Sequence, residues 1–476
     1  MASSTKHPPT LQASPAPSRG LRTTVDQAIT AGRIQLPTLA MIAMISLVLP
    51  ISFNIGDLLL TPSRVIFLVT MPILLIQLFQ GRYGKVNRVD WLVMLHVFWI
   101  SVTIAINHPH MAATFGGSTI VMTLGAYLVG RTMITTPGQM VGVALFLTLV
   151  VLFSIPFAIY ETRTDQMPIP MLLDLIPGIT PADKVDYEPR MGFYRVQFVF
   201  SHPIHYGLFC SIAFSLCFIG LRRYLGTAFR LVASVGVLLA TFLSLSSGPF
   251  LSVLVQVALL LWSITMRWMK RPWRVLIILT AVGYVLIELG STRPAIYAIV
   301  TRLAFNPMTA NYRMLQLEYG MAQIRRTPIF GNGFNSWERP WWMSPSVDNQ
   351  WLMVAMNYGL PALFLLVAAI VILMRRIASN PSTSPQFADL RLAWMFTMVS
   401  LSLTLATVAI WSELQSLFYF FLGIGVWMIN WRDGPETGTA AAAAPPVSTG
   451  RYTRFGTGQS VPAVRLAPNT YRRGSS

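Results

Sequence analysis

The chain has 476 residues, of which 54% are hydrophobic and only 11% are charged, and its mean hydropathy is +0.57. A soluble domain carries roughly 25% charged residues, so this composition excludes a water-soluble globular enzyme, including a soluble α/β nucleotide-binding domain. A formal net charge of +18 would suggest nucleic-acid binding in a soluble protein. In a membrane protein the excess of Lys and Arg in cytoplasmic loops explains it instead, and we predict no nucleic-acid partner.

Residues 1–35 are polar and rich in Ser, Pro and Thr, which predicts a disordered cytoplasmic tail. Twelve apolar segments of about membrane-spanning length follow. They lie at about 37–53, 64–80, 91–106, 114–130, 140–160, 204–221, 228–245, 249–266, 275–290, 350–373, 392–411 and 414–430. This pattern predicts an all-α polytopic membrane protein with about 12 transmembrane helices in a domain over 36–430. Residues 431–476, with an Ala-Pro run and scattered arginines, predict a disordered basic cytoplasmic tail.

The distribution of charge predicts the orientation. With both ends inside, 24 of the 35 Lys and Arg residues fall in cytoplasmic segments and 11 fall outside. The short loops 81–90, 222–230 and 267–274 are densely basic, which favours the N-in/C-in topology. Two long loops, 161–203 and 291–349, are then external, the second between spans 9 and 10. Connections longer than about 12–15 residues are usually functional or disordered, and we expect both loops to fold over the outer mouth of the bundle.

The first external loop ends in a group of potential anion ligands. Arg190 and Arg195 come just before a predicted span, and His202 and His205 flank Pro203 at its start. Guanidinium groups beside a helix N-terminus can bind a diphosphate; the alternative is that both arginines merely lie at the lipid interface. Two histidines three residues apart could bind a metal, but no third ligand of the usual kind is near. We therefore predict no metal, with histidines that orient the loop or a substrate.

The second external loop contains a further candidate. Apolar residues at helical spacing from Arg313 to Arg325 predict an amphipathic helix on the outer surface, ended by Pro328. Gly331-Asn332-Gly333 predicts a turn. Asp348 lies where the chain re-enters the membrane. It is either the cap or the dipole partner of the next helix, or a carboxylate able to accept a proton from an attacking hydroxyl.

Three motifs together resemble one family. They are Arg195 before SHPIHYG, the segment LSLSSGPFL, and a series from Arg313 through Pro328-Ile-Phe-Gly-Asn-Gly-Phe and Asp348-Asn349 to Tyr358-Gly359-Leu-Pro. Over roughly 190–375 this order resembles the O-antigen ligase and polymerase superfamily of polytopic membrane glycosyltransferases. Two positions depart from it. The family's His before Asn is Asp348 here, and the Arg of its Ser-Arg-Gly segment is absent at Ser247-Gly248.

The resemblance implies an enzyme of the bacterial inner membrane that polymerises undecaprenyl-diphosphate-linked repeat units of an exopolysaccharide or O-antigen on the periplasmic face. No metal, nucleotide or other cofactor is required, because the lipid diphosphate already carries the activated sugar. The candidate diphosphate ligands are Arg195 and Arg313, followed by Arg190, Arg302 and Arg325. Asp348 is the expected base, with His202 or His205 as the alternative. Expected partners are the lipid-linked oligosaccharide, a growing glycan or lipid A core acceptor, membrane lipids, and chain-length-regulating and export proteins.

Two other functions remain open. One is an O-antigen ligase that transfers glycan to lipid A core, which the replacement of the family's His by Asp348 disfavours. The other is a lipid-linked glycan transporter or flippase. Carriers usually keep buried carboxylates along their path. Here Glu288 and Glu413 lie near outer span ends, which favours an enzyme.

Overall fold

The computed structural model describes residues 34–55, 58–290 and 307–432, and these are almost entirely helical. The helices, in chain order, are α1 (Thr38–Val48), α2 (Pro62–Phe79), α3 (Arg88–Asn107), α4 (Pro109–Met133), α5 (Pro137–Thr164), α6 (Pro168–Leu173), α7 (Pro203–Gly220), α8 (Thr227–Leu243), α9 (Ser247–Thr265), α10 (Pro272–Gly290), α11 (Pro307–Arg326), α12 (Gln350–Ala378), α13 (Pro385–Thr404) and α14 (Ser412–Ile429). Three short antiparallel strands, β1 (Ile51–Ile55), β2 (Leu58–Leu60) and β3 (Thr180–Pro181), form one small sheet in the order β2-β1-β3.

Nine of the described helices are long and apolar enough to cross a membrane. They are α2, α3, α4, α5, α7, α9, α10, α12 and α14. The predicted all-α polytopic membrane fold is therefore confirmed, whereas the count of 12 spans stays a prediction. The predicted tails, apart from residues 34, 35, 431 and 432, lie outside the described residues.

Three predicted spans differ in extent from the helices observed. The predicted segment 37–53 contains only α1, because Pro50 holds Leu49 in an extended conformation and the chain continues into β1. The segment 228–245 forms α8, which has 17 residues. The segment 392–411 is shifted, since α13 begins at Pro385 and ends at Thr404, leaving 405–411 as a loop.

Gln350 stabilises this loop. Its backbone N–H donates to the carbonyl oxygens of Leu405 and Val408, and its side-chain oxygen accepts the N–H of Ile410. Buried backbone groups need such partners, so one side chain at the start of α12 allows 405–411 to leave the helix. The end of the bundle at which α12 begins and α13 ends is called the site end.

A buried ionic group joins helices at the opposite end. Asp90 at the start of α3 is fully buried, and its carboxylate accepts hydrogen bonds from the Tyr127 hydroxyl (2.6 Å), the Arg131 Nε (3.0 Å) and the Asn87 N–H (2.9 Å). Arg131 also donates to the carbonyl of Tyr83. A buried ion pair is retained only when such bonds satisfy both partners. The carboxylate of Asp90 therefore has a structural role, because its hydrogen bonds join α3 to α4.

A kink in α12 holds the turn of the second external loop. Gly359 departs from helical geometry (φ 82°, ψ 169°), and the N–H of Leu360 donates to the carbonyl of Pro328 (2.8 Å). The N–H groups of Asn332 and Gly333 donate to carbonyls of α12 at distances of 2.8 and 2.9 Å. The two halves of the third sequence motif, around Pro328 and around Gly359, are thus paired through their backbones.

Gly359→Ala is expected to detach this turn from α12. The β-carbon would overlap the carbonyl oxygen of Ile329, and this backbone conformation, which is essentially restricted to glycine, costs another residue roughly 1–3 kcal/mol. We expect a lower midpoint of thermal unfolding in detergent and faster proteolysis between residues 327 and 345. Gly283→Ala on α10, where the added carbon meets nothing within 4 Å, is the matched control. Equal stability of the two variants would contradict the role of the kink.

Candidate functional site

Glu161, near the end of α5, holds the segment that carries Arg195. Its two carboxylate oxygens accept the N–H groups of Gln197 (2.7 Å) and Phe198 (2.9 Å). On the other side of Arg195, Thr162 and Tyr194 exchange two hydrogen bonds, from hydroxyl to carbonyl (2.8 Å) and from N–H to carbonyl (3.1 Å). The backbone is therefore fixed on both sides of the arginine, which gives its side chain a defined direction.

The guanidinium of Arg195 lies over the ring of Tyr187, with 4.6 Å between the Cζ atom and the ring centroid. Its Nε donates to the carbonyl of Ser244 at 3.4 Å, and the residue is only 9% exposed. Arg190, which is exposed, donates from Nη1 to the carbonyl of the next residue, Leu245 (2.9 Å). Burial and, less strongly, the charge of Arg190 lower the pKa of Arg195 to about 10. Arg195 thus remains a cation at neutral pH.

Both arginines donate hydrogen bonds to the LSLSSG motif, which forms the turn between α8 and α9. Leu245 has a positive φ of 46°, an unfavourable conformation for a branched residue. Such strain persists only where the surrounding structure enforces it, as at ligand sites. The family's arginine is missing from this motif, but two arginines from the first external loop donate to its carbonyls.

Arg313 and Asp348 come from the second external loop. The predicted helix over 313–325 is observed as α11, which ends at Arg326, two residues before Pro328. Its predicted apolar face is not simply the buried one, because Gln316 and Gln323 are buried and Met321 is exposed. One turn beyond Arg313, Gln316 accepts the N–H of Asp348 (3.1 Å) and donates to the carbonyl of Ser346 (2.9 Å). This pairing places the carboxylate beside the arginine.

Asp348 does not cap α12. Asn349 does so, because its side-chain oxygen accepts the N–H of Leu352 at 3.1 Å. The capping alternative for Asp348 is therefore wrong, and its carboxylate is available to the site. Burial raises the pKa of Asp348, and the charges of Arg313 and Arg195 oppose that rise. Burial also lowers the pKa of Arg313, against the effect of Asp348.

The cations of the site lack acidic partners at contact distance. Among the residues that the structure describes, Arg190, Arg195 and Arg313 form no ion pair within 4.0 Å, and the buried Nε of Arg313 has no hydrogen-bond partner. Buried charges are costly unless paired. Three cations around one carboxylate leave an excess of positive charge that an anionic ligand would neutralise.

The two histidines occupy structural positions. His202 caps α7: its Nδ1 accepts the N–H of Ile204 (3.0 Å), which places the proton of the neutral ring on Nε2, 2.6 Å from the Tyr187 hydroxyl. Burial and the nearby arginines lower the pKa of His202 to about 4. His205 is fully buried and packs against Trp411, with 4.0 Å between ring centroids. His202 thus has both ring nitrogens in hydrogen bonds, and the His205 ring is buried.

A cavity of about 710 Å³ lies beside Asp348. Its lining includes Tyr187 and His202 from the first external loop, Trp337 from the second, and Trp411 from the 405–411 loop. A separate cleft of about 30 Å³ is lined by Arg313 and also by Asp348. Asp348 is the one residue shared by the linings of these two spaces.

The structure brings Arg190, Arg195, Arg313, His202 and Asp348 together, with His205 behind Trp411. Arg325 is exposed 12 residues along α11 from Arg313, which is about 18 Å of helix, so it does not belong to the cluster. Arg302 lies outside the described residues. Sequence reasoning missed Glu161, Tyr187, Gln316 and Trp411, whose roles depend on contacts between segments far apart in the chain.

Comparison with known proteins adds an independent observation. Residues 231–367 match the family model described as O-antigen ligase. The match supports the O-antigen ligase superfamily. It confirms the resemblance read from the motifs, and it includes the LSLSSG turn, Arg313, Asp348 and Gly359. Members of the family are glycosyltransferase-like membrane enzymes, which implies lipid-linked glycan substrates. Comparison with curated proteins gave no significant match.

Arg195→Lys is expected to reduce glycan transfer in this O-antigen ligase-like chain by about 10- to 100-fold. Lysine has no planar fork with which to stack on Tyr187, donate to Ser244 and still bind an anion, and one hydrogen bond to a charged group contributes about 1.5–3 kcal/mol. Polymer length and amount in cells with equal protein levels are the measurement. Arg163→Lys is the control, since Arg163 lies over Phe193, 5.7 Å from its centroid. Normal polymer with Arg195→Lys would exclude a two-point contact.

Proposed function

We propose that the chain is an inner-membrane glycosyltransferase that polymerises undecaprenyl-diphosphate-linked repeat units on the periplasmic face. The observation that carries this proposal is the convergence of Arg195 and Arg313 on Asp348, with Arg190 near both arginines and without acidic partners at contact distance among the described residues. Arg is the side chain best suited to grip two phosphate oxygens at once. A lipid diphosphate supplies that anion as the leaving group.

The reaction forms one glycosidic bond and breaks another. The oxygen of an acceptor hydroxyl attacks the anomeric carbon of the donor sugar, and the bond from that carbon to the diphosphate oxygen breaks. The electron pair stays on the diphosphate, where the arginines stabilise the developing charge. The hydroxyl proton passes to Asp348, which must be ionised to accept it. Glu161 and Gln316 act as positioning residues for Arg195 and Asp348.

The location outside the cytoplasm is supported by the charge pattern. The basic loops 81–90, 222–230 and 267–274 lie at the helix ends opposite the site end, and loops of this kind are typical of the cytoplasmic side. Both natural cysteines, Cys210 and Cys217, are buried, so introduced cysteines can report the orientation. Asn335→Cys should react with a membrane-impermeant maleimide in intact spheroplasts. Ser379→Cys should react only after permeabilisation; the reverse pattern would place the site in the cytoplasm.

The two alternatives predict different products. In a deletion strain, a polymerase leaves single lipid-linked repeat units outside the membrane, a flippase leaves them inside, and a ligase leaves long glycan that is not attached to lipid A core. Asp348 in place of the family's His favours the polymerase. The flippase is disfavoured because the buried carboxylates described at the opposite end, Asp90 and Asp389, are both held by arginine. External single units would support the proposal, and unattached long glycan would exclude it.

A further inference from the structure

The 710 Å³ cavity beside Asp348, called the acceptor cavity below, differs chemically from the arginine cluster. Its size is within the range of about 300–1,000 Å³ that is typical of ligand pockets. Its lining combines aliphatic side chains with aromatic rings and neutral amide and hydroxyl groups, including Phe334, Trp337, Trp411, Asn335 and Asn357. Such surfaces suit a ligand that has apolar C–H faces and many hydroxyl groups, as a saccharide does.

The acceptor cavity has fewer cations than the arginine cluster. Arg339 is the arginine among its described lining residues, and three of its five N–H donors are used within its own loop. Its Nε donates to the carbonyl of Met343 (3.0 Å), and its Nη1 donates to the Ser336 hydroxyl and the Trp337 carbonyl, both at 3.1 Å. Arg313 lines instead the separate narrow cleft that shares Asp348 with this cavity. The two spaces that meet at Asp348 therefore suit two different ligands.

Trp411 offers the cavity a partly exposed aromatic surface that neighbouring rings hold at a fixed angle. It is 40% exposed although the His205 ring packs 4.0 Å from it and the His202 ring 5.6 Å from it. Ser412, the next residue, has a positive φ of 49°, which marks a sharp turn after the tryptophan. A rigid, partly exposed ring loses little conformational entropy when a ligand stacks on it.

We propose that the acceptor cavity binds the acceptor glycan, with a sugar ring stacked on Trp411 and the attacking hydroxyl directed at Asp348. This inference rests on the proposed function, since it assigns the second substrate of the same reaction. The lipid diphosphate then binds on the arginine side and the lipid-free end of the other glycan binds in the acceptor cavity, with the base between them.

The test measures binding of a lipid-free oligosaccharide to the full chain in lipid nanodiscs. The probe is the radiolabelled repeat-unit oligosaccharide released by mild acid from the lipid-linked pool of the producing cells. Trp411→Ala is expected to weaken binding at least tenfold, and Trp411→Tyr, which keeps a ring, to weaken it less. Trp341→Ala is the matched control, because Trp341 is 95% exposed and is not in the lining.

A second variant tests the cavity while leaving Trp411 and its surroundings unchanged. Asn335 is exposed, and its side chain bonds only locally, to the carbonyl of Asn332. Asn335→Trp should fill part of the cavity and abolish probe binding while the thermal midpoint stays unchanged. Wild-type binding by Trp411→Ala or by folded Asn335→Trp, or no binding by the unmodified chain, would overturn the assignment of the cavity.

Failure of the cavity and failure of the proposed function give different results. One outcome is that the unmodified chain elongates the lipid-linked donor while both variants bind the probe with unchanged affinity. In that case the acceptor lies elsewhere and the proposed function stands. If the unmodified chain forms no glycosidic bond from the lipid-linked donor, the proposed function fails, and the acceptor role of the cavity fails with it.

Discussion

Arg313→Ala is expected to reduce glycan transfer by about 10²–10³-fold, the usual effect of removing one group that stabilises charge on a reacting centre. Arg313 projects from α11 toward Asp348, with a buried Nε that no described group bonds. That arrangement leaves its charge for an anionic substrate. Surface polymer should become undetectable on gels, while lipid-linked single units accumulate and the amount of protein in the membrane stays normal.

Arg325→Ala is the matched control for this variant. It removes the same charge from the same helix, but from an exposed position about 18 Å along α11. Polymer of normal length is expected. An equal loss in both variants would indicate a general effect of charge on α11, and normal polymer with Arg313→Ala would remove this arginine from the site.

Asp348→Asn is expected to lower the rate of transfer by about 10²–10⁴-fold, the range for loss of a general base. The carboxylate must be ionised to accept a proton, so wild-type activity should fall as the pH drops through the pKa of Asp348. Burial raises that pKa from the ordinary aspartate value. The decline should therefore begin at a higher pH than for an exposed aspartate, and the residual activity of the asparagine variant should lack it.

The measurement is transfer by purified protein across a pH series, with Asp174→Asn as the control. Asp174 is an exposed aspartate of the first external loop and should be replaceable without effect. If the activity of Asp348→Asn still falls at low pH as in the unmodified chain, a group other than Asp348 causes that fall. His202 is then the next candidate, although its pKa of about 4 and its two occupied nitrogens disfavour it.

Local sequence signals predicted much of the site. The apolar spacing from Arg313 to Arg325 indicated α11, and Pro328 with Gly331 and Gly333 indicated its end and the turn. Both glycines have positive φ (64° and 61°), which only glycine adopts readily. These features depend on neighbouring residues, so periodicity and turn chemistry were sufficient.

The parts that sequence did not predict depend on distant contacts. Glu161 binds backbone groups 36 and 37 positions away, and Arg195 reaches a carbonyl 49 positions away. Neither pairing leaves a local pattern. Asp348 and Asn349 are both good helix caps by composition, and only the structure shows that Asn349 takes this role. Likewise, the loop that carries Trp411 interrupts an apolar segment because Gln350, more than fifty residues earlier, satisfies its backbone.

The LSLSSG turn lacks the family's arginine, but two arginines from elsewhere in the chain contact it. Arg190 and Arg195 donate to the carbonyls of Leu245 and Ser244 in that turn. We infer that these two cations from the first external loop supply the positive charge that the turn itself lacks. Neither lies within the segment 231–367 that matches the family.

Binding of undecaprenyl diphosphate to the purified chain in nanodiscs tests the central claim most directly. The comparison is between the unmodified chain, the double variant Arg195→Ala/Arg313→Ala, and Arg375→Ala/Arg376→Ala, which removes an exposed pair at the opposite end of α12. If the arginine cluster holds the diphosphate, the first double variant loses at least 100-fold in affinity and the second binds normally. Unchanged binding by the first variant, or an equal loss in both, would contradict it.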